Sequence, residues 1–147
     1  MPRWTRPTLD TPFHIDFDWW EEDRRDLRLS LHQHLCPDCR ATFVSHLGSE
    51  TVDWIDPETA EVKAVDGLWH ALRTHCSARR DYVTDATPLT DAVFRTFLAN
   101  GNEPLTAVEL GSALNRRPAM VLRVIGSGPV YNGIRPVPAE EQRRRRR

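Results

Sequence analysis

Apolar and polar positions change period several times along this chain, and each change marks an element. Ile15, Phe17 and Trp19 alternate with Asp16 and Asp18, which predicts a short strand. Residues 21–35 open with Glu21, Glu22 and Asp23 and then place Leu27, Leu31, His34 and Leu35 on one face. This predicts a helix beginning near Trp20, with its early acids at the positive end of the helix dipole. A turn at Cys36-Pro37-Asp38-Cys39 ends it. Between Arg40 and Val65 the pattern becomes extended, with segments 42–44, 52–55 and 61–65 separated by Gly48-Ser49 and by residues 56–59. A small antiparallel hairpin fits this pattern. After Asp66-Gly67, Leu68, Leu72 and Cys76 recur at i, i+4 and i+8 with Trp69 alongside, a short helix that carries Cys76 onto an inward face.

The final third is punctuated more sharply. Thr87-Pro88 supplies a cap and a first helical proline for a helix with Leu89, Val93 and Phe97 as its buried stripe, and Asn100-Gly101-Asn102 ends it. Thr106 and Glu109 have capping-box spacing, opening a second helix with Leu110 and Leu114 inward. Asn115-Arg116-Arg117 makes a tight turn, and Pro118 starts a third helix through Val121, Leu122 and Ile125 that Gly126 and Gly128 terminate. Asn132-Gly133, flanked by Val130-Tyr131 and Ile134-Arg135, predicts a type I′ hairpin of two very short strands.

These elements divide into an N-terminal module over 1–85, a three-helix module over 86–138 and a disordered Arg-rich tail over 139–147. Residues 77–87, with only Tyr82 and Val83 as large apolar side chains, are the expected connection. Charge sharpens the division: residues 1–77 hold 8 basic and 14 acidic side chains, and residues 78–147 hold 12 and 7. The near-neutral total of −1 therefore hides an acidic half and a basic half. The fold class is α+β, a small helix/hairpin/helix module stapled by zinc followed by a three-helix unit. The first dozen residues, with three prolines, read as an extended arm.

Three cysteines cannot all pair within one chain, so their spacing raises metal or redox chemistry. Cys36 and Cys39 form a two-residue knuckle that can offer two thiolates to one metal, and Cys76 offers a third. The fourth ligand is His75, beside Cys76, or alternatively His32, one helical turn before Cys36; His70 and His46 are also available. His34 packs on the apolar face instead. A Cys3His set predicts structural Zn2+, closed to substrate, because catalytic zinc keeps a position for water. The Cys-Pro-x-Cys run also resembles that of glutaredoxin-like redox proteins. There the first thiolate follows a strand and opens a helix, whereas here a helix precedes Cys36 and an extended segment follows Cys39.

Residues 87–137, about a third of the chain, resemble a winged helix-turn-helix domain in the order of their three helices, the tight turn before the third and the Asn132-Gly133 wing. The resemblance implies DNA binding by the third helix and the wing, with Arg116, Arg117, Arg123 and Arg135 as contacts. The third helix also carries Ala119, Met120, Val121 and Val124, which leaves few polar side chains to read base edges and makes docking on a protein partner the competing expectation. Arg143 to Arg147 attract polyanions without sequence preference. No nucleophile elbow, catalytic triad spacing or phosphate-binding glycine loop occurs, so the chain is not expected to be an enzyme. Its longest apolar run, 119–122, is far short of a membrane span, and acids from Asp10 to Asp26 stand where a secretory signal needs apolar residues. A cytoplasmic protein without membrane contact is expected.

Overall fold

Asp16 decides how the chain begins. The computed structural model describes residues 6–23, 25–42, 51–55, 60, 62–138 and 140–142, with backbone alone at 51–55 and 62–66. Strand β1 (Phe13–Ile15) stops at Asp16, whose carboxylate accepts from the Asp18 amide at 3.0 Å and caps helix α1 (Phe17–Glu22). The expected strand through Phe17 and Trp19 is therefore helical, because an aspartate in extended geometry is a better helix cap than a strand residue. Successive helical positions differ by about 100 degrees, so Trp19 and Trp20 both reach the interior and pack edge to face at 5.2 Å. The single helix expected over 21–35 is also two: Asp26 caps α2 (Leu27–Gln33) through the Leu29 amide at 3.2 Å. Leu31 and Leu35 are buried, as the periodicity requires.

Helix α3 (Pro37–Thr42) replaces the expected open turn. Pro37 occupies its first position, where a missing N–H costs nothing, and the Arg40 amide donates to the Cys36 carbonyl at 2.9 Å. Thr42 is thus helical, while the other residues expected to extend from it, 43–44, lie outside the described residues together with Gly48-Ser49 and His46. The hairpin follows as anticipated: β2 (Thr51–Ile55) and β3 (Val62–Asp66) pair antiparallel from Thr51↔Asp66 to Ile55↔Val62. Helix α4 (Gly67–Thr74) buries Leu68 and Leu72, and a 3-10 turn (Cys76–Ala78) carries the buried Cys76.

Helices α5 (Leu89–Ala99), α6 (Ala107–Leu114) and α7 (Pro118–Gly126) form the C-terminal cluster. The capping box is present in both directions, Glu109 amide to Thr106 hydroxyl at 3.2 Å and Thr106 amide to Glu109 carboxylate at 3.0 Å. Asn115 adopts the left-handed conformation that turns α6 into α7, and Pro118 starts α7. The start of α5 lies one residue later than expected. Pro88 is its cap position, and the Thr87 hydroxyl instead accepts from the Thr84 amide at 3.0 Å.

The Asn132-Gly133 turn has positive φ at both residues, 55° and 76°, as a type I′ turn demands. Its partner strand is not Val130-Tyr131. Strand β4 (Ile134–Pro136) pairs antiparallel with β1, Ile15↔Ile134 through Phe13↔Pro136. Pairing there covers Phe13 and Ile15, which are fully buried, whereas Tyr131 is 44% exposed and would contribute little to a local hairpin. The other edge of β1 bonds Leu105, through reciprocal bonds of 2.8 and 3.0 Å, and the Asn102 side chain brackets the Ile15 backbone at 2.8 and 3.0 Å. Gly133 is required at its turn, since a Cβ there would sit 2.8 Å from the Trp20 indole nitrogen. One continuous core runs from Leu31, Leu35, Leu68 and Leu72 through Trp20 and Phe94 to Phe97, Leu110 and Val121, linking both expected modules. Residues 140–142 are helical, unlike the disorder expected after Pro138; Arg143 to Arg147 lie outside the described residues. Among the described residues no helix is long and apolar enough to cross a membrane.

Candidate metal centre

Three short elements bring the candidate ligands together. The start of α3 sets Cys36 at its edge and Cys39 three residues on, so both sulfurs share one side of the helix. The end of α4 delivers His75 and then Cys76 to that side. His75 Nδ1 lies 3.4 Å from Cys36 Sγ and 3.3 Å from Cys39 Sγ, and the Cys36 amide donates to Cys76 Sγ at 3.3 Å. All four ligand atoms lie within 4.8 Å of one another, and the three cysteines are free thiols. A tetrahedral zinc with bonds near 2.3 Å to sulfur sets its donors roughly 3.8 Å apart. The sulfur and nitrogen donors therefore match a four-coordinate thiophilic cation in both number and spacing.

His75 is the histidine gathered with the three sulfurs; His32 and His70 lie outside this group. His34 packs as expected, its ring 5.1 Å from Phe94, with Nδ1 accepting from Arg95 Nε at 2.9 Å. Burial first, and then the Arg95 charge, lower its pKa to about 4, so it is neutral near pH 7.

The thiols are strongly inequivalent. Burial pushes Cys36 upward, but hydrogen bonds from the Cys39 amide, the neighbouring thiols and His75 outweigh it and leave Cys36 at about 7. Cys39 is pushed up to about 12 by burial and by its sulfur neighbours, and Cys76 is raised for the same leading reason. Cys36 is thus the thiol of the trio that ionises most readily, and a dication held here would displace the remaining protons.

A polar brace surrounds this cluster in the stretch expected to be a plain connection. Arg79 donates to Asp38 at 3.3 Å and to Asp81 at 3.0 Å, joining the α3 knuckle to the segment after α4. Tyr82 is buried; its hydroxyl donates to the Arg95 carbonyl at 2.6 Å, and Arg95 returns a bond to the Tyr82 carbonyl. Arg40 covers the end of α2 through the Gln33 carbonyl at 2.7 Å. Arg79, Asp81, Tyr82 and Arg95 line a cavity of about 180 Å³ with Cys36 and Cys76. Tyr82, a lone aromatic in a polar run, was the signal that this stretch packs inward.

The four arginines expected to meet DNA fall into two classes. Arg116 donates to the Asp85 carbonyl at 2.9 Å, and half-buried Arg135 pairs with Asp16 at 3.3 Å and Glu22 at 3.9 Å. Arg117, at the start of α7, and Arg123, on its outer side, are exposed. The chain matches no family model, no curated protein and no solved structure. Fold and site together define a mixed chain of short helices and small antiparallel strand pairs with a Cys3His cluster that can hold a metal ion.

Proposed function

We propose that this is a DNA-binding, transcription-regulator-like protein whose α5–α7 unit works as a winged helix-turn-helix and whose Cys3His cluster holds structural zinc. The observation that carries the DNA reading is the α6–turn–α7 arrangement, with Arg117 and Arg123 exposed at the start and on the outside of α7. In this reading α7 enters the groove and the two guanidiniums hold phosphate oxygens, a planar fork suited to bidentate contact. Arg116 and Arg135 orient the scaffold instead: one ties α7 to residue 85, the other ties β4 to α1.

Zinc identity rests on the donor set, since three sulfurs and one imidazole favour this cation and leave no position for substrate water. When bound, the metal fixes α3 to the end of α4. Within the chain, Cys36, Cys39, His75 and Cys76 would hold it, Arg79 ties the segment after α4 to the α3 knuckle, and Tyr82 ties that segment to α5.

Fluorescence anisotropy with duplex DNA tests the reading, using the full chain and a version ending at Gln142. Retained binding by the shorter chain at about 150 mM salt, weakened by Arg117→Ala with Arg123→Ala, is the expected result. Binding that vanishes with the arginine tail would reduce the interaction to unspecific electrostatics. Docking on a protein partner is the second reading, favoured by Val108 and Met120, which are 45% and 49% exposed on α6 and α7. Co-purification of a stoichiometric partner lost on Met120→Glu, without DNA binding, would select it.

A further inference from the structure

Arg6 and Pro7 approach α7 near its last turn. A turn closed by the Thr8 amide on the Thr11 hydroxyl at 2.8 Å, and by the Thr11 amide on the Thr8 carbonyl at 3.1 Å, leads directly into β1. That anchor holds Pro7 over the last turn of α7, where Gly126 permits close approach: a Cβ there would lie 3.6 Å from Pro7 Cβ and 2.9 Å from Leu122 Cδ1. Between the arm and the helix lies a cleft of about 330 Å³, with Arg6 and Pro7 on one wall and Ala119, Arg123, Gly126 and Ser127 on the other.

The cleft carries two arginine side chains, Arg6 and Arg123, both exposed. Among the described residues no carboxylate lines it. Among the described residues Arg6 and Arg123 have no ion-pair or side-chain hydrogen-bond partner, unlike Arg79, Arg116 and Arg135, which are all engaged within the chain. Ala119, Leu122 and Gly126 line the cleft between the two arginines with small or apolar groups.

We infer that the cleft between residues 6–7 and α7 is a seat for a nucleic-acid backbone phosphate, with Arg6 as a contact supplied from the opposite end of the sequence. This rests on the DNA-binding reading and deepens it. A polyanion is the ligand class because both guanidiniums are solvated: a free phosphate ion gains little from two wet charges, whereas a phosphodiester already held by α7 releases condensed counterions at each added contact.

The test is duplex binding by the full chain at several salt concentrations, comparing the parent with Arg6→Ala, Arg6→Lys, Arg80→Ala and Arg117→Ala. Arg80 is an exposed arginine outside the cleft and reports bulk charge. The expected result is that Arg6→Ala weakens binding about 3- to 10-fold and flattens the slope of log affinity against log salt by about 0.9, while Arg6→Lys keeps most of that slope. Arg80→Ala leaves both unchanged. Should Arg6→Ala match the parent while Arg117→Ala weakens binding, the seat is refuted and the DNA reading stands. Equal losses in Arg6→Ala and Arg80→Ala would also refute it, as an effect of total charge. A parent that does not bind duplex at about 50 mM salt would remove both the DNA reading and the seat.

Discussion

The end of the molecule built from α2, α3 and α4 and the end built from α5, α6 and α7 are held together by different forces. Helices α2, α3 and α4 span 7, 6 and 8 residues, and α3 buries none of its side chains. Helices this short are not stable alone, so their positions depend on what ties them together. The Arg79 bridge provides one tie, and the four ligand atoms within 4.8 Å of one another would provide a second with a metal ion bound. At the other end, α5 alone buries Ala92, Val93, Phe94, Phe97 and Leu98, and α6 carries a complete capping box. Apolar burial and local caps suffice there. The contrast teaches that where a short helix buries none of its own side chains, as α3 does, a polar bridge and a candidate metal site stand beside the shared core.

Removing the metal is the strongest way to break this comparison. Cys39→Ser, or chelation of the parent, should take metal content from about one ion per chain towards zero and unfold the α2–α4 end, while amide protection in α5–α7 persists. Structural zinc in small peptides contributes about 10–16 kcal/mol, comparable with the whole stability of most domains at about 5–15 kcal/mol. Elemental analysis with hydrogen exchange reads both effects, and an unchanged stoichiometry in Cys39→Ser would refute the ligand set.

Phe13→Ala attacks the other end. Phe13 is fully buried in the strand that bridges Leu105 and β4, so its truncation should cost about 3–5 kcal/mol by denaturant unfolding. Metal stoichiometry should hold at low denaturant. If ion and core are lost in one transition, the two ends form a single cooperative unit, which the continuous core through Trp20 and Phe94 makes a measurable alternative.

His34 sits where the ends meet, between the cysteine knuckle and α5. Its folded pKa of about 4 lies below the ordinary 6.5, so the unfolded chain binds the extra proton first. The stability from keeping this ring neutral is complete above pH 6.5 and is lost as pH falls towards 4. His34→Gln should remove up to about 1.4 kcal/mol per pH unit from that decline. Melts at pH 6.5 and 5, with metal content followed in parallel, separate this effect from release of the ion. The smallest change expected is Thr106→Ala, about 1 kcal/mol from loss of the cap, with no effect on metal content.

Elements whose signals are local were legible in the sequence. The Thr106–Glu109 box, the left-handed Asn115, Pro118 at the head of α7 and the positive φ values at Asn132-Gly133 all follow from the stereochemistry of a few adjacent residues. Cys36, Cys39 and Cys76 were legible because thiols at knuckle spacing are chemically conspicuous. Where two local signals competed, the pattern misled: Asp16 read as the polar half of an alternation and Asp26 fell inside a single helix expected over 21–35, yet each caps a separate helix. The partner of β4 was not legible, because Val130-Tyr131 and Phe13–Ile15 are both acceptable strand sequences and only the latter lies fully inside the core.

By itself, then, the sequence determined the helices in its last third to within a residue, the hairpin formed by segments 52–55 and 61–65, and the cysteines available to a metal, all of which depend on neighbours within a few positions. The tertiary structure alone decided that His75 rather than His32 meets the three sulfurs, that β1 joins β4 across more than a hundred residues, and that Arg116 and Arg135 are spent within the chain while Arg6 is not. Each of those outcomes is a choice among chemically equivalent side chains or strands. Distance and burial made the choice, and neither is written in local pattern.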